Sequence, residues 1–366
     1  MIENITLRNF TAFSKLDMPL SPKINIIIGE NGTGKTHLLK IAYALSWAAL
    51  TPQRSPNSDE QERIQKLTEK FVGIFKPLDN KIGRLYREGA IREGNGEQAS
   101  MSMRFNRDQN LGLTLYHNSR MLQIDKWKIN VPSSLENTWS EKEPVFIPTK
   151  EMLSFMLGFG SLFDKFGLSF DDLFRELYSL LELPPLRPDK LPEKSKWAIE
   201  EIEKICGGRF IYYGGGRVNF KTSTNEFSAN VMAEGFRKIG ILSRLLETGA
   251  IYPGLSGPLL WDEPETNFNP KLLKLLVEIL LELSRNGQQI ILATHDYVVL
   301  KWFDLLMDES KGDDVLYHSL YREPGSGEIK INSTDHYLQI TPNPIDEAFG
   351  FLIDQEIHND MGGLGK

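Results

Sequence analysis

Residues 24–36 read INIIIGENGTGKT. Five residues rich in β-branched side chains form a strand signal. The next eight, Gly29 to Thr36, fit the pattern G-x-x-x-x-G-K-[ST]. A helical pattern then runs from Lys35 to about Leu50. Strand, glycine-rich turn and helix in this order make a phosphate cradle. Glycines let the backbone fold around a polyphosphate and point N–H groups at it. The helix N-terminus adds positive dipole. Lys35 is placed to reach the outer phosphates, and the Thr36 hydroxyl to ligand Mg²⁺. Candidate nucleotide-binding residues are therefore Gly29, Glu30, Asn31, Gly32, Thr33, Gly34, Lys35 and Thr36, with His37 next on the helix.

Two further strand ends carry chemistry. PLLWDEPE (258–265) ends an apolar run in Asp262 and Glu263. Charges at the end of a buried strand need partners. Asp262 is expected in the Mg²⁺ shell, and Glu263 as the general base that polarises an attacking water. ILATHD (291–296) ends a second apolar run in His295, 33 residues beyond Asp262. One strand–helix–strand unit separates them, so the two strand ends can lie side by side. His295 is then in reach of a γ-phosphate or of the water, and Lys35, Glu263 and His295 form the candidate catalytic set.

The rest of the chain bounds the answer. It has 366 residues, 40% apolar and 25% charged, with net charge −7. These are ordinary values for a globular protein, and they do not suggest a surface coated for nucleic acid. One cysteine, Cys206, excludes a disulfide framework and a cysteine zinc site. The N-terminus shows no signal core, and no run of about 18 apolar residues exists. A cytoplasmic location is expected, with no membrane partner.

Along the chain, ITLRNFTAF (5–13) reads as a strand, and TPQRSPNSDEQER (51–63) as an exposed loop. Short alternating pieces over 100–131 suggest antiparallel strands, and 151–206 turns helical. RFIYY (209–213) and RVNFKT (217–222) suggest two short strands. A helix over 270–287, with Gly287 at its C-cap, leads to the strand of QQIILATHD (288–296). Strands alternating with helices argue for an α/β core of mostly parallel strands. The expected division is a core of 1–50 and 207–366, a β lobe over 81–147 and a helical subdomain over 148–206. No internal repeat or long heptad arm is seen.

Taken together, ITLRNFTAFSKLDMPLSPKINIIIGENGTGKT (5–36), with its aromatic pair Phe10 and Phe13, LLWDEPETNFNP (259–270) and IILATHD (290–296) resemble the ABC-type ATPase superfamily. They look most like its soluble branch of RecF, SMC proteins and the ATPase half of OLD-family proteins. The resemblance implies an α/β P-loop NTPase head with a mixed central sheet, an antiparallel β lobe and a helical subdomain. It implies ATP and Mg²⁺ as cofactors, and a homodimer that closes on ATP. Each nucleotide would lie between the cradle of one head and the signature of the other.

VMAEGFRKIG (231–240) is similar to that signature. Gly235 lies 27 residues before Asp262 and takes the place of the glycine that lets a helix approach phosphate. Arg237 and Lys238 supply cations after it. Ala233 stands where the family has its phosphate-binding serine. The stretch is either a degenerate signature still used across a dimer, which we expect, or a plain helix start. ETNFNP (265–270) resembles the loop that crosses the dimer, with Asn267 and Asn269 as candidates. The family's switch loop falls at VFIPTKEML (145–153), without its glutamine; Thr149, Lys150 and Glu151 are the candidate substitutes.

The resemblance implies an ATP-driven switch. A transporter subunit is disfavoured by the altered switch loop. An intrinsic nuclease is disfavoured because 71 residues after His295 leave little room for the TOPRIM domain of OLD proteins. The expected setting is antiviral defence beside a separate nuclease or toxin. A DNA-binding repair ATPase like RecF is the alternative, with nucleic acid met by Arg84, Arg87, Arg92, Arg104 and Arg107. A scaffold that scarcely turns over is a third reading. In the tail, DQEIHND (354–360) with His358 is a candidate metal site.

Overall fold

The computed structural model describes residues 1–51, 58–87, 89, 97–105, 109–128 and 143–363. Its centre is a six-stranded mixed sheet with strand order β14-β13-β3-β12-β11-β7. The strands are β3 (Ile24–Gly29), β7 (Val145–Ile147), β11 (Leu259–Asp262), β12 (Ile290–Ala293), β13 (Val315–Arg322) and β14 (Ile329–Thr334). All pair in parallel except β13 with β14. Every residue of β3, β7, β11 and β12 is buried, as expected of parallel strands covered on both faces.

Alternate β3 residues enter different cores. Ile24, Ile26 and Ile28 join one with Trp261 and Leu292, packed against α6 (Glu234–Glu247), α7 (Pro270–Arg285) and α8 (Tyr297–Leu306). Ile27 joins the other with Leu260, Ile291, α1 (Lys35–Ala49) and α2 (Glu60–Phe75). α3 (Phe159–Phe166), α4 (Asp172–Glu182) and α5 (Glu193–Cys206) make the helical part, and α9 (Pro344–Gly363) ends the described chain. Among the described residues, no helix is long and apolar enough to cross a membrane.

Several expectations are altered. The antiparallel sheet has the order β2-β1-β4-β5-β6. It therefore joins the N-terminal hairpin β1 (Ile2–Phe10) and β2 (Phe13–Pro19), expected in the core, to β4 (Gln98–Phe105), β5 (Gln109–Tyr116) and β6 (Leu122–Lys128). Conversely β7, placed by sequence in the β lobe, pairs with β11 in the central sheet. Both are long-range pairings that local periodicity does not encode. The supposed loop at 51–63 already contains the start of α2, capped by Asp59, which accepts from the Glu62 N–H. Residues 52–57 lie outside the described set. The two strands near 209–222, β8 (Arg209–Tyr212) and β9 (Val218–Lys221), gain a third, β10 (Glu226–Ser228). α7 stops at Arg285, and Gly287 lies just beyond the Asn286 cap at φ 93°.

His318, on β13, is wholly buried between Ser333 (2.8 Å) and Asn25 (3.3 Å). Burial pushes its pKa down to about 3 from the usual 6.5. Between those values the unfolded chain binds a proton that the native chain does not. Stability therefore falls as pH drops through that window, by up to about 1.4 kcal/mol per pH unit for one such group. Urea unfolding at pH 7 and pH 5 should show a smaller difference in His318→Gln; an equal difference contradicts this.

Candidate nucleotide and metal site

β3 delivers the chain into the glycine-rich turn at Gly29. A side chain there would meet the Leu320 carbonyl oxygen at 2.4 Å, because β13 runs alongside with Leu320 opposite Gly29. Gly34 caps α1 at φ 93°, and a Cβ on it would sit 2.7 Å from the Phe13 ring. Phe13 and Phe10 are fully buried, so one of the aromatic pair forms the floor under the turn. α1 has no acidic residue in its first turn, which leaves its N-terminal dipole free for an anion.

The Lys35 ammonium donates to the carbonyls of Gly29 (2.7 Å) and Glu30 (3.1 Å). Burial lowers its pKa, opposed by Glu263, Asp262 and Glu265. Thr33 is buried and donates to the Glu30 carbonyl at 2.8 Å. Glu30, Asn31, Gly32, Thr36 and His37 are exposed along the rim. Arg322, unnoticed in the sequence, reaches from the end of β13 to the Gly32 carbonyl at 2.9 Å.

Asp262 ends β11 and is buried. Its Oδ2 accepts from Thr36 (2.9 Å) and Thr149 (3.0 Å). Its Oδ1 is buried with no partner among the described residues. Burial raises its pKa, opposed by the two hydroxyls. A hydroxyl and a buried carboxylate oxygen left open are donors suited to Mg²⁺, a hard, oxygen-seeking cation. The residues fit the metal. Of the switch-loop candidates, Thr149 reaches this cluster, Lys150 is exposed, and Glu151 turns to Arg237.

β11 and β12 pair in parallel with Asp262 opposite Ala293, so their ends lie side by side. His295 Nδ1 stands 3.3 Å from Glu263 Oε1. Glu263 has φ 47°, and its N–H donates to the Ala293 carbonyl at 2.8 Å. Glu265 was missed. Its Oε1 accepts from the Thr294 hydroxyl (2.8 Å) and the His295 N–H (3.2 Å), while Oε2 is buried with no partner among the described residues. Burial raises its pKa. The only signal was a second acid behind Pro264.

The signature-like stretch begins α6 with Ala233 as its N-cap and no side-chain cap. A Cβ on Gly235 would meet the Asn267 carbonyl oxygen at 2.6 Å. The glycine thus admits the loop after the acid pair of its own chain. Both cations that follow the glycine turn inward. Arg237 pairs with buried Glu151 at 2.9 Å, and Lys238 is 1% exposed. Asn267 holds φ 64°, and Asn269 caps α7 through the Lys271 N–H (3.0 Å). Ala233→Ser should restore the cap and stabilise the protein by about 1 kcal/mol, read as a higher urea midpoint; an unmoved midpoint contradicts the cap geometry.

Arg87 lies 3.9 Å from Glu328, and Arg104 lies 3.4 Å from Glu3. Arg92 and Arg107 lie outside the described residues. His358 is exposed on α9, and no group of three or more His, Cys, Asp or Glu placed to hold a metal ion forms among the described residues.

A mixed sheet whose β3 feeds a glycine turn, with carboxylates at the end of β11 one strand beyond its neighbour β12, is the arrangement of a P-loop nucleotide-binding domain. The family model described as "AAA domain, putative AbiEii toxin, Type IV TA system" matches residues 114–301, just over half the chain, and "AAA ATPase domain" matches 1–106. The chain belongs to the first of these AAA-domain families. It is 43% identical over 101 residues to the DNA replication and repair protein RecF of Bacillus cereus (strain G9842). That segment is 28% of this chain and 25% of the relative. RecF of Lysinibacillus sphaericus (strain C3-41) is 34% identical over 97 residues, 25% of each chain. The matches thus span only about a quarter of these relatives. Among solved structures, an SmcHead bound to the C-winged helix domain of ScpA aligns with TM-score 0.55 and 14% identity, covering 91% of this chain and 97% of that one. The Smc head with an extended coiled coil from Pyrococcus furiosus, bound to the C-terminal domain of ScpA, gives TM-score 0.51 and 13% identity over 97% and 99%. These likenesses concern the fold.

Proposed function

We propose that the chain is a single ATPase head that binds and hydrolyses Mg-ATP, closes against a second copy on ATP, and switches a separate effector. The observation that carries the reading is Asp262, holding Thr36 and Thr149 on one oxygen while the other stays open beside the cradle. In this reading Lys35 leaves its loop carbonyls for the outer phosphates, and the N–H groups that open α1 hold the β-phosphate. Thr36 and Asp262 hold Mg²⁺, with Thr149 in the place of the switch-loop glutamine. When bound, the metal offsets charge on the transferred phosphoryl group. Glu263 takes the proton of the attacking water, and His295 orients Glu263 and hydrogen-bonds the water or the γ-phosphate.

Gly235 and the open N-terminus of α6 would address the partner's nucleotide, with Ala233 lacking one hydroxyl donor. Arg237 would have to leave Glu151 to take part. A separate protein partner is in keeping with the SMC heads solved bound to ScpA. The family description naming a putative toxin of a type IV toxin–antitoxin system favours antiviral defence with a nuclease or toxin as effector. Purified chain with Mg-ATP should leave plasmid and linear DNA intact; cleavage overturns the separate effector. The RecF likeness favours the alternative, a DNA-binding maintenance ATPase. Turnover stimulated by duplex or single-stranded DNA and suppressed by salt would select it.

A further inference from the structure

Lys238 is among the largest side chains that the fold hides completely. A buried ammonium is costly unless charges and hydrogen bonds offset the lost water. Here Glu265, Glu263 and Asp262 supply the opposing charge, yet burial still pulls the pKa down to about 8. A structural cation could sit in many places. This one donates its Nζ proton to the main-chain carbonyl of Glu263.

That carbonyl belongs to the peptide bond with Pro264, which has no N–H. Glu263 itself holds a left-handed backbone, φ 47°, that non-glycine residues rarely adopt. Three contacts keep it there. The Ala293 carbonyl takes its N–H at 2.8 Å, and its C=O accepts from the Lys238 ammonium and, at 3.3 Å, from the Thr266 N–H. The side chain then points its carboxylate at His295 (3.3 Å) and the Thr266 hydroxyl (3.5 Å). Gly235, one turn before Lys238 on α6, allows the approach by leaving room for the Asn267 carbonyl.

We propose that Lys238 is a positioning residue for Glu263, clamping its main chain so that the carboxylate faces the attacking water. This rests on Glu263 being the general base. Strained backbone at a site persists only where the surroundings over-determine it, and Lys238 is the one side-chain contact on this carbonyl among the described residues.

The test is ATP turnover and Mg-ATP binding in a double-mutant cycle. Lys238→Met should lower kcat at least tenfold with the ATP Kd within twofold of wild type. In the Glu263→Gln background the same change should lower residual turnover less than twofold. Wild-type kcat in Lys238→Met, or the same loss in both backgrounds, overturns the proposal. If wild type and Glu263→Gln turn over alike, Glu263 is not the base and the residue that would position it falls too. Should Lys238→Met fail to fold, Lys238→Met/Glu265→Gln removes the cation with its main counter-charge. Compared with Glu265→Gln alone, it should show the same loss of kcat; equal rates overturn the proposal.

Discussion

Glu263→Gln is expected to lower ATP turnover by about 10²–10⁴-fold, the usual worth of a general base, while Mg-ATP affinity holds within a few-fold. The amide keeps the size of the carboxylate and can keep its contact to His295 (3.3 Å), but it cannot take the proton of a water. The clamp through Ala293 and Lys238 holds only the main-chain atoms of Glu263, so the substitution leaves it intact. Asp262 and Thr36, the residues proposed to hold the metal, are untouched, so Mg-ATP affinity is expected to survive. Turnover is read by phosphate release and affinity by titration with a fluorescent ATP analogue. Unchanged turnover would move the base elsewhere, with Glu265 next in line because it too abuts His295.

Lys35→Ala is expected to weaken Mg-ATP binding by about 10–150-fold, the worth of one hydrogen bond to a charged group. Lys35 is the one cation buried within the turn, and its two contacts are the loop's own carbonyls. Phosphate oxygens would replace those carbonyls as charge-assisted acceptors. The rest of the cradle, the α1 dipole and the Gly29 and Gly34 geometry, survives the change, so binding weakens rather than vanishes. Calorimetric titration in Mg²⁺ measures it directly. Affinity equal to wild type would mean that the phosphates lie outside the cradle.

What could be read from sequence follows how local each feature is. The cradle is contiguous: strand, glycine turn and Lys35 helix all lie within 24–49, so pattern and structure coincide there. The placing of His295 beside Glu263 needed only one parallel crossover, which the spacing of the two apolar runs already suggested. Lys238 was named as a cation but its burial could not be read, because it occupies the buried stripe of α6 with Ile239 and Leu242, and a lysine there looks like surface. Thr149 was named without its partner, since β7 is only three residues long and its pairing with β11 is non-local. Arg237 stood out in the sequence as a cation after the signature-like glycine, a candidate for holding phosphate. Only the fold reveals the buried carboxylate of Glu151 beside it. The N-terminal hairpin went astray for the same reason as β7: its neighbour β4 begins about 90 residues later in the chain.

The central claim is that ATP brings two copies together although Ala233 stands where a serine is expected. Light scattering of the Glu263→Gln protein, with and without Mg-ATP, tests it most directly, because slowed hydrolysis preserves the bound state. The account predicts a mass of one chain, 41.7 kDa, without nucleotide, doubling with Mg-ATP. A mass that stays the same in both conditions, with ATP shown to be bound, would contradict it.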